Sequence, residues 1–352
     1  MNDIAINDTL YDGPALSVLD LVPITVGHSL GQALRNTRRL AQGAEALGFR
    51  RYWLAEHHNA ASFASAATSV LMGYVAEGTS TIRVGAGGIM LPNHAPLMVA
   101  EQFGTLESLY PGRIDLGVGR SAGADPVAAT RLKRGGEPRP FGAMLGELSA
   151  YFEEADPAAG VRAVPGAGLA LPLYILGGSP AAAAFAGERG LPFAYAGHLK
   201  DDAAPSLAAY RSAFRPSAAQ RAPYAMMSIN VIGADSAAEA AWLATSRRRR
   251  VLGVMRARPL PLQAPAAFDT DGPDAAEQQA LELALGASIE GDHAALRAGL
   301  GAIIARCAPD ELLINTEIHD IDARLRSYEI VAEALMPRRA PPARTNSPTE
   351  PR

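Results

Sequence analysis

The chain has 352 residues, with 32 Lys+Arg against 36 Asp+Glu for a formal net charge of −4, and is 48% hydrophobic and 19% charged, the composition of an ordinary globular protein. The mildly acidic balance argues against bulk nucleic-acid binding, and no apolar run approaches the roughly 18 residues that a membrane span needs. A single cysteine, Cys307, excludes a disulfide framework and a multi-thiolate zinc site and suits a reducing, cytoplasmic setting.

The opening segment, Met1 to Asp12, carries three Asp and lacks the basic and apolar stretches of an export leader; residues 1–15 read as an N-terminal extension. Leu16 to Leu21 has the composition of a strand. Gln32 to Leu47 then places Ala33, Leu34, Thr37, Leu40, Ala41, Ala44 and Leu47 on one helical face, with Gly48 as the stop. The alternation continues with strand Arg51 to Ala55, helix Ser65 to Glu77, strand Ile82 to Val84, helix Pro96 to Leu109 and strand Ile114 to Val118. Further strands fall at Leu173 to Leu176, Phe193 to Ala196, Met226 to Ile232 and Glu311 to Asn315. The helices between and after them lie near Ala181 to Arg189, Ala203 to Phe214, Ala237 to Leu252, His293 to Cys307 and Ala323 to Leu335. Eight strands, each followed by helical periodicity, predict one (β/α)8 TIM barrel over residues 16–337. Insertions follow strand four (Ala122 to Leu171) and strand seven (Pro259 to Ala284). The proline-rich segment 338–352 has almost no apolar side chains and reads as a disordered tail.

Barrel enzymes keep their chemistry at the C-terminal ends of the strands, so the strand exits are the candidate site. Strand two ends in Glu56-His57-His58-Asn59, four consecutive polar residues. Either histidine alone suits a helix cap or a backbone hydrogen bond, whereas the cluster at a rim suits catalysis. Adjacent histidines diverge and the spaced His pairs of zinc sites are absent, so no metal is expected. Strand three ends in Gly85-Ala86-Gly87-Gly88, which fits a flat ligand against bare backbone or a tight strand exit. Strand four ends in Gly117-Val118-Gly119-Arg120, where the arginine can fork onto a phosphate or carboxylate, or pair with a carboxylate of the following insertion. Its glycine spacing is one residue too long for a dinucleotide fingerprint. Strand five ends in Gly177-Gly178-Ser179-Pro180 before a helix, either an anion site or a plain Ser N-cap. Arg247-Arg248-Arg249-Arg250 reads as the solvated end of a helix, and Trp53 and Trp242 as packing residues.

These exits, in the wording "WLAEHHN", "RVGAGGIMLPNHAPL", "VAEQFGTLESLYPGRIDLGVGR" and "LYILGGS", together with the terminal "ARLRSYEIVAEAL", resemble the bacterial luciferase-like flavin-dependent oxidoreductases. The resemblance spans roughly Leu16 to Leu335 and is nearest to the monooxygenases of secondary metabolism. It implies FMN as FMNH2 from a separate NAD(P)H-dependent flavin reductase, O2 captured as a flavin C4a-peroxide, a small organic substrate and a homodimer. It also implies roles for residues: His57 as the catalytic histidine with Glu56 and His58 shaping the rim, and Gly87-Gly88 as a non-prolyl cis peptide against the flavin. Arg120, Gly177, Gly178 and Ser179 would form the phosphate cradle. Gly178 stands where light-emitting relatives carry a carboxylate, and Ala182 where a hydroxyl usually assists the phosphate. Other readings are a deazaflavin-dependent oxidoreductase, a non-catalytic flavin-binding protein, and a Schiff-base aldolase through Lys200, one of only two lysines with Lys133.

Overall fold

The computed structural model describes residues 13–132, 139–154, 160–268 and 271–336. The first twelve residues of the N-terminal extension and the tail 338–352 lie outside them, as does Lys133. Strands β1 (Ala15–Asp20), β2 (Arg51–Leu54), β3 (Arg83–Met90), β4 (Ile114–Gly119), β5 (Leu173–Gly177), β6 (Phe193–Tyr195), β7 (Ala225–Gly233), β8 (Ser288–Gly291) and β9 (Glu311–Asn315) alternate with helices. All pair in parallel. The order β6-β5-β4-β3-β2-β1-β9-β7 is closed by pairing of β6 with β7, giving an eight-stranded barrel. The eight strands read from the sequence are these eight. The ninth, β8, pairs only with β7, along Asn230–Gly233 where β7 runs on past the barrel. It escaped the sequence reading because Ser-Ile-Glu-Gly is short and only half-buried.

The helices are α1 (Leu30–Leu47), α2 (Thr68–Glu77), α3 (Pro96–Leu109), α4 (Pro126–Leu132), α5 (Phe141–Ala150), α6 (Pro180–Glu188), α7 (Ala203–Ala213), α8 (Ala237–Met255), α9 (Ala275–Ala284), α10 (His293–Cys307) and α11 (Ile321–Leu335). Caps set several of their ends: Ser29 accepts from the Gln32 amide and Gly48 closes α1 at φ 86°, a left-handed turn that glycine adopts without a Cβ clash. The two insertions are partly helical, carrying α4, α5 and α9. No helix among the described residues is long and apolar enough to cross a membrane.

Alternation along the strands separates two environments. Leu16, Val18, Tyr52, Leu54, Val84, Ile114 and Leu116 face the helices and belong to the main core. Leu19, Trp53, Tyr174, Met226 and Leu313 form a second cluster that fills the barrel, with the Trp53 and Tyr174 rings edge to face at 4.9 Å. Trp53 leaves no room for a side chain on β3, since a Cβ at Gly85 would lie 2.4 Å from its Nε1. At the lower end of the barrel the interior is ionic. Arg51 donates to Asp115 Oδ2 (2.7 Å) through Nη1 and to Glu311 Oε1 (3.0 Å) through Nε, while Arg83 reaches Asp115 Oδ1 at 2.6 Å. Trp53 Nε1 and the Tyr224 hydroxyl donate to the same two carboxylates. Both arginines together balance both acids.

The second insertion is pinned to the barrel as it leaves α8. Leu262 exchanges backbone hydrogen bonds with Ile24 and Val26 beyond β1. At its far end Asn230 of β7 donates to the carbonyls of Leu285 and Ala287, and accepts from Asn315 Nδ2 at 2.7 Å.

Removing one partner of a buried ion pair leaves the other charged and dry. Asp115→Ala is therefore expected to destabilise the fold by about 3–5 kcal/mol, whereas Asp201→Ala, which breaks an exposed pair with Arg306, should cost at most about 1 kcal/mol. Denaturant unfolding of the two variants checks the contrast.

Candidate functional site at the barrel rim

On one side of the rim, β4 and β5 emerge together, since Gly119 is paired with Leu176. This sets Arg120 beside Gly177. Arg120 is exposed and makes no hydrogen bond or ion pair among the described residues. Ser179 caps α6, its Oγ accepting from the Ala182 amide at 3.3 Å, with Pro180 opening the helix. The two glycines before it differ in purpose. A Cβ on Gly177 would strike the Ala182 methyl at 2.6 Å, so this glycine lets α6 pack on β5, whereas Gly178 faces open space. At the neighbouring exit the Gly87–Gly88 peptide is cis. A Cβ on Gly88 would lie 2.7 Å from the Gly117 carbonyl oxygen, so close strand packing alone already requires glycine there.

The β2 exit carries two separate arrangements, because consecutive residues point apart. Glu56 is buried and receives His58 Nε2 at 2.8 Å and His94 Nε2 at 2.9 Å on Oε1, and the Met90 amide at 3.2 Å on Oε2. Burial by itself raises the Glu56 carboxyl, but the bonds from His94 and His58 prevail and hold it below its ordinary range. His94, from the loop after β3, was not singled out in the sequence. One ligand atom from each of Glu56, His58 and His94 lies within 4.8 Å of the others, a set able to receive a metal ion. The observed contacts are those of hydrogen bonds, shorter than the roughly 3.3 Å that separates neighbouring ligand atoms around tetrahedral zinc. His57 turns the other way, with its Nδ1 3.4 Å from Ser65 Oγ and its ring 4.9 Å from that of Phe63.

His57 lines a pocket of about 260 Å³ together with Phe63, Asp125, Arg250, Val254 and Pro259. Behind it lies a charged cluster that corrects the reading of the four arginines. Arg247 is buried, not solvated, and donates to Glu317 Oε1 (3.3 Å), Ser288 Oγ and the Leu285 carbonyl. The Arg250 side chain is only 10% exposed and grips Glu317 through Nε (2.6 Å) and Nη2 (2.9 Å). Arg248 pairs with Glu290 at 2.8 Å. A run of like charge reads as solvated only while its partner is unseen, and Glu317 is 67 residues away from Arg250. The signal available in the sequence was an acid just past the last barrel strand, at the same rim. His198, also unflagged, sits after β6 with Nδ1 2.6 Å from Ser228 Oγ. Lys200 is exposed beside Asp202 at 3.5 Å, without the dry pocket that a Schiff-base lysine needs. Trp53 is core as expected, whereas Trp242 is half exposed on α8.

Burial lowers both histidines: His57 to about 4, with Arg250 adding to the effect and Glu317 opposing it, and His198 to about 3. Unfolded histidines take up protons near pH 6.5, so on acidification the unfolded chain binds protons that the fold refuses. Stability should then fall as pH drops from about 6.5 to about 4, and the fall should be shallower in His57→Asn. Unfolding midpoints across that window measure it.

The family model described as "Luciferase-like monooxygenase" matches residues 16–315. A protein named "Luciferase-like monooxygenase" from Escherichia coli (strain K12) is 44% identical over 322 residues, 91% of this chain and 96% of that protein. The crystal structure of apo-MsnO8 superposes with a TM-score of 0.84 at 32% identity, covering 92% of this chain and 100% of that one. The oxygenating constituent of 3,6-diketocamphane monooxygenase from Pseudomonas putida, in complex with FMN, shares the fold with a TM-score of 0.68 at 17% identity, covering 93% and 100%. With a family match across most of the barrel and a close relative along nearly its whole length, the chain belongs to the luciferase-like monooxygenases, oxidoreductases that incorporate oxygen.

Proposed function

We propose that this chain binds reduced FMN, delivered by a separate NAD(P)H-dependent flavin reductase, and uses O2 to oxygenate a small organic substrate. The observation that carries the reading is the placement of Arg120 near the start of α6: a guanidinium without a partner among the described residues, the Ala181 amide and the Ser179 hydroxyl suit a single phosphate. Gly178 adds bare backbone facing open space at the same point. The residues present thus fit an FMN phosphate. The FMN-bound neighbour of the same fold supports the choice of cofactor.

The flavin, when bound, supplies the redox chemistry with oxygen, and the protein has to hold, orient and shield it. Arg120, the Ala181 amide and the Ser179 hydroxyl fix the phosphate end. His57, neutral at pH 7, lines the pocket and is able to take a proton from a group there or donate a ring N–H to it. The hydrogen bonds from His58 and His94 hold Glu56 ionised, and Glu56 in turn ties the β2 exit to the Met90 amide beyond the cis Gly87–Gly88 peptide. Val254, in the last turn of α8, and Pro259, the first residue of the second insertion, give the pocket an apolar wall. A homodimer belongs to the same reading, supported by Val70, Met98 and Leu109 on the exposed sides of α2 and α3.

Arg120→Ala should weaken FMN at least tenfold, and Ala182→Ser, which adds a hydroxyl one turn into α6, should tighten it. Fluorescence titration under air and of the reduced flavin under nitrogen, with reduced deazaflavin in parallel, checks this. A tighter hold on deazaflavin than on FMN would overturn the choice of cofactor. His57→Ala should keep the fold and FMN affinity but lower reductase-supported turnover on the order of 10²-fold, read as oxygenated product per reduced flavin consumed.

A further inference from the structure

Arg51 and Arg250 present the same guanidinium chemistry at opposite ends of the barrel, and they differ in one partner. Arg51 satisfies two carboxylates, Glu311 through Nε and Asp115 through Nη1. Arg250 satisfies one, Glu317, through the edge formed by Nε and Nη2. Its Nη1 makes no hydrogen bond among the described residues, although the side chain is nine-tenths buried. Glu317 has no spare charge for it, being shared with Arg247, so the cluster holds two guanidinium groups on one carboxylate.

The other acids nearby are engaged elsewhere. Glu290 pairs with Arg248, and Glu56 with His58 and His94. Asp125, at the exposed mouth, accepts from Asn59 Nδ2 and from the Val127 and Ala128 amides. His57 and His198 add no positive charge at neutral pH. The Arg247–Arg250–Glu317 cluster thus carries one more positive than negative charge, with the Asp125 carboxylate standing apart at the mouth, and Arg250 is the arginine of the cluster that lines the pocket. Phe63 lies under it with the Arg250 Cζ 4.9 Å from the ring centre, and the His57 ring packs on the same phenyl. Val254 and Pro259 complete an apolar wall.

We propose that Arg250 anchors a carboxylate on the oxygenation substrate, whose apolar remainder lies against Phe63, Val254 and Pro259. The inference rests on the monooxygenase reading above and names the substrate class: small organic monoanions with an apolar arm. With the Asp125 carboxylate in the same lining, a singly charged carboxylate is repelled less than a phosphate dianion would be. The anion takes on Arg250 Nη1 the place that Asp115 takes on Arg51.

The test compares 3-phenylpropanoate with 3-phenylpropanamide, and octanoate with octanamide, pairs of nearly equal shape that differ in charge. Binding to the full-length protein is measured by calorimetry and ligand-observed NMR at pH 7.5, with and without FMN. The acids should bind at least tenfold tighter than the amides. Arg250→Gln should bring each pair to within about twofold, and Arg250→Lys, which keeps the charge but not the fork, should retain part of the preference. FMN affinity should be unchanged in Arg250→Gln. Equal or undetectable binding of acid and amide by the unaltered protein, which needs no variant to fold, overturns the proposal. So does a preference that survives Arg250→Gln, or a loss of FMN affinity in that variant matching Arg120→Ala, which would hand Arg250 to the cofactor. An acid preference in a protein that binds no FMN would instead sink the flavin reading and leave the anion anchor standing.

Discussion

A guanidinium sealed inside a parallel barrel must find its counter-charge across the lumen, because it is shut away from bulk solvent. Arg51 imposes this constraint, and the lower half of the barrel is built around it. Taking an ion out of water costs several kcal/mol, offset only when the pairing geometry is good and the remaining polar atoms are satisfied. Here β2 supplies the cation, β4 and β9 the acids, and β3 a second cation, with Ser17 of β1, Trp53 and Tyr224 completing the hydrogen bonds. Strands distant in sequence are thereby tied to one register. That register aligns the β3, β4 and β5 exits at the rim.

Above this layer the barrel turns apolar and then glycine-rich, and the polarity returns at the upper rim in a different form. The acids and bases of the lower layer answer each other within the barrel. Those of the rim are drawn from β-strand exits and from α8, and their accounts do not close among the described residues: Arg120 has no partner there, and Arg247 and Arg250 share one acid. The same residue types thus serve stability at one end and recognition at the other. What separates them is whether the chain itself provides the last partner.

The barrel was legible in the sequence because a sheet covered on both faces demands near-continuous apolar runs, and each run was followed by a helical repeat. The strand-exit positions followed from that, and with them Glu56, His57, His58, Arg120 and Ser179. Long-range pairings were not legible. His94 joins Glu56 across 38 positions and Glu317 joins Arg250 across 67, and neither spacing carries a local signal. The arginine run misled because a helical wheel says which residues share a face, as Arg247 and Arg250 do at three apart, but not whether that face meets water. Strand β8 was missed for a related reason: it lies outside the barrel, and with Ile289 as its single large apolar residue it left no apolar run to read.

Leu262 at one end and Asn230 at the other fasten the second insertion to strands whose own positions are set by the barrel. Val254 of α8 and Pro259 wall the pocket from ahead of the Leu262 fastening, whereas the described stretch between the two fastenings contributes neither pocket lining nor a member of the ionic layer below. It behaves as an exchangeable cassette. Its length and sequence are free to drift while the anchors persist, without disturbing the pocket wall or the barrel, and segments could be transplanted between related chains at these two seams.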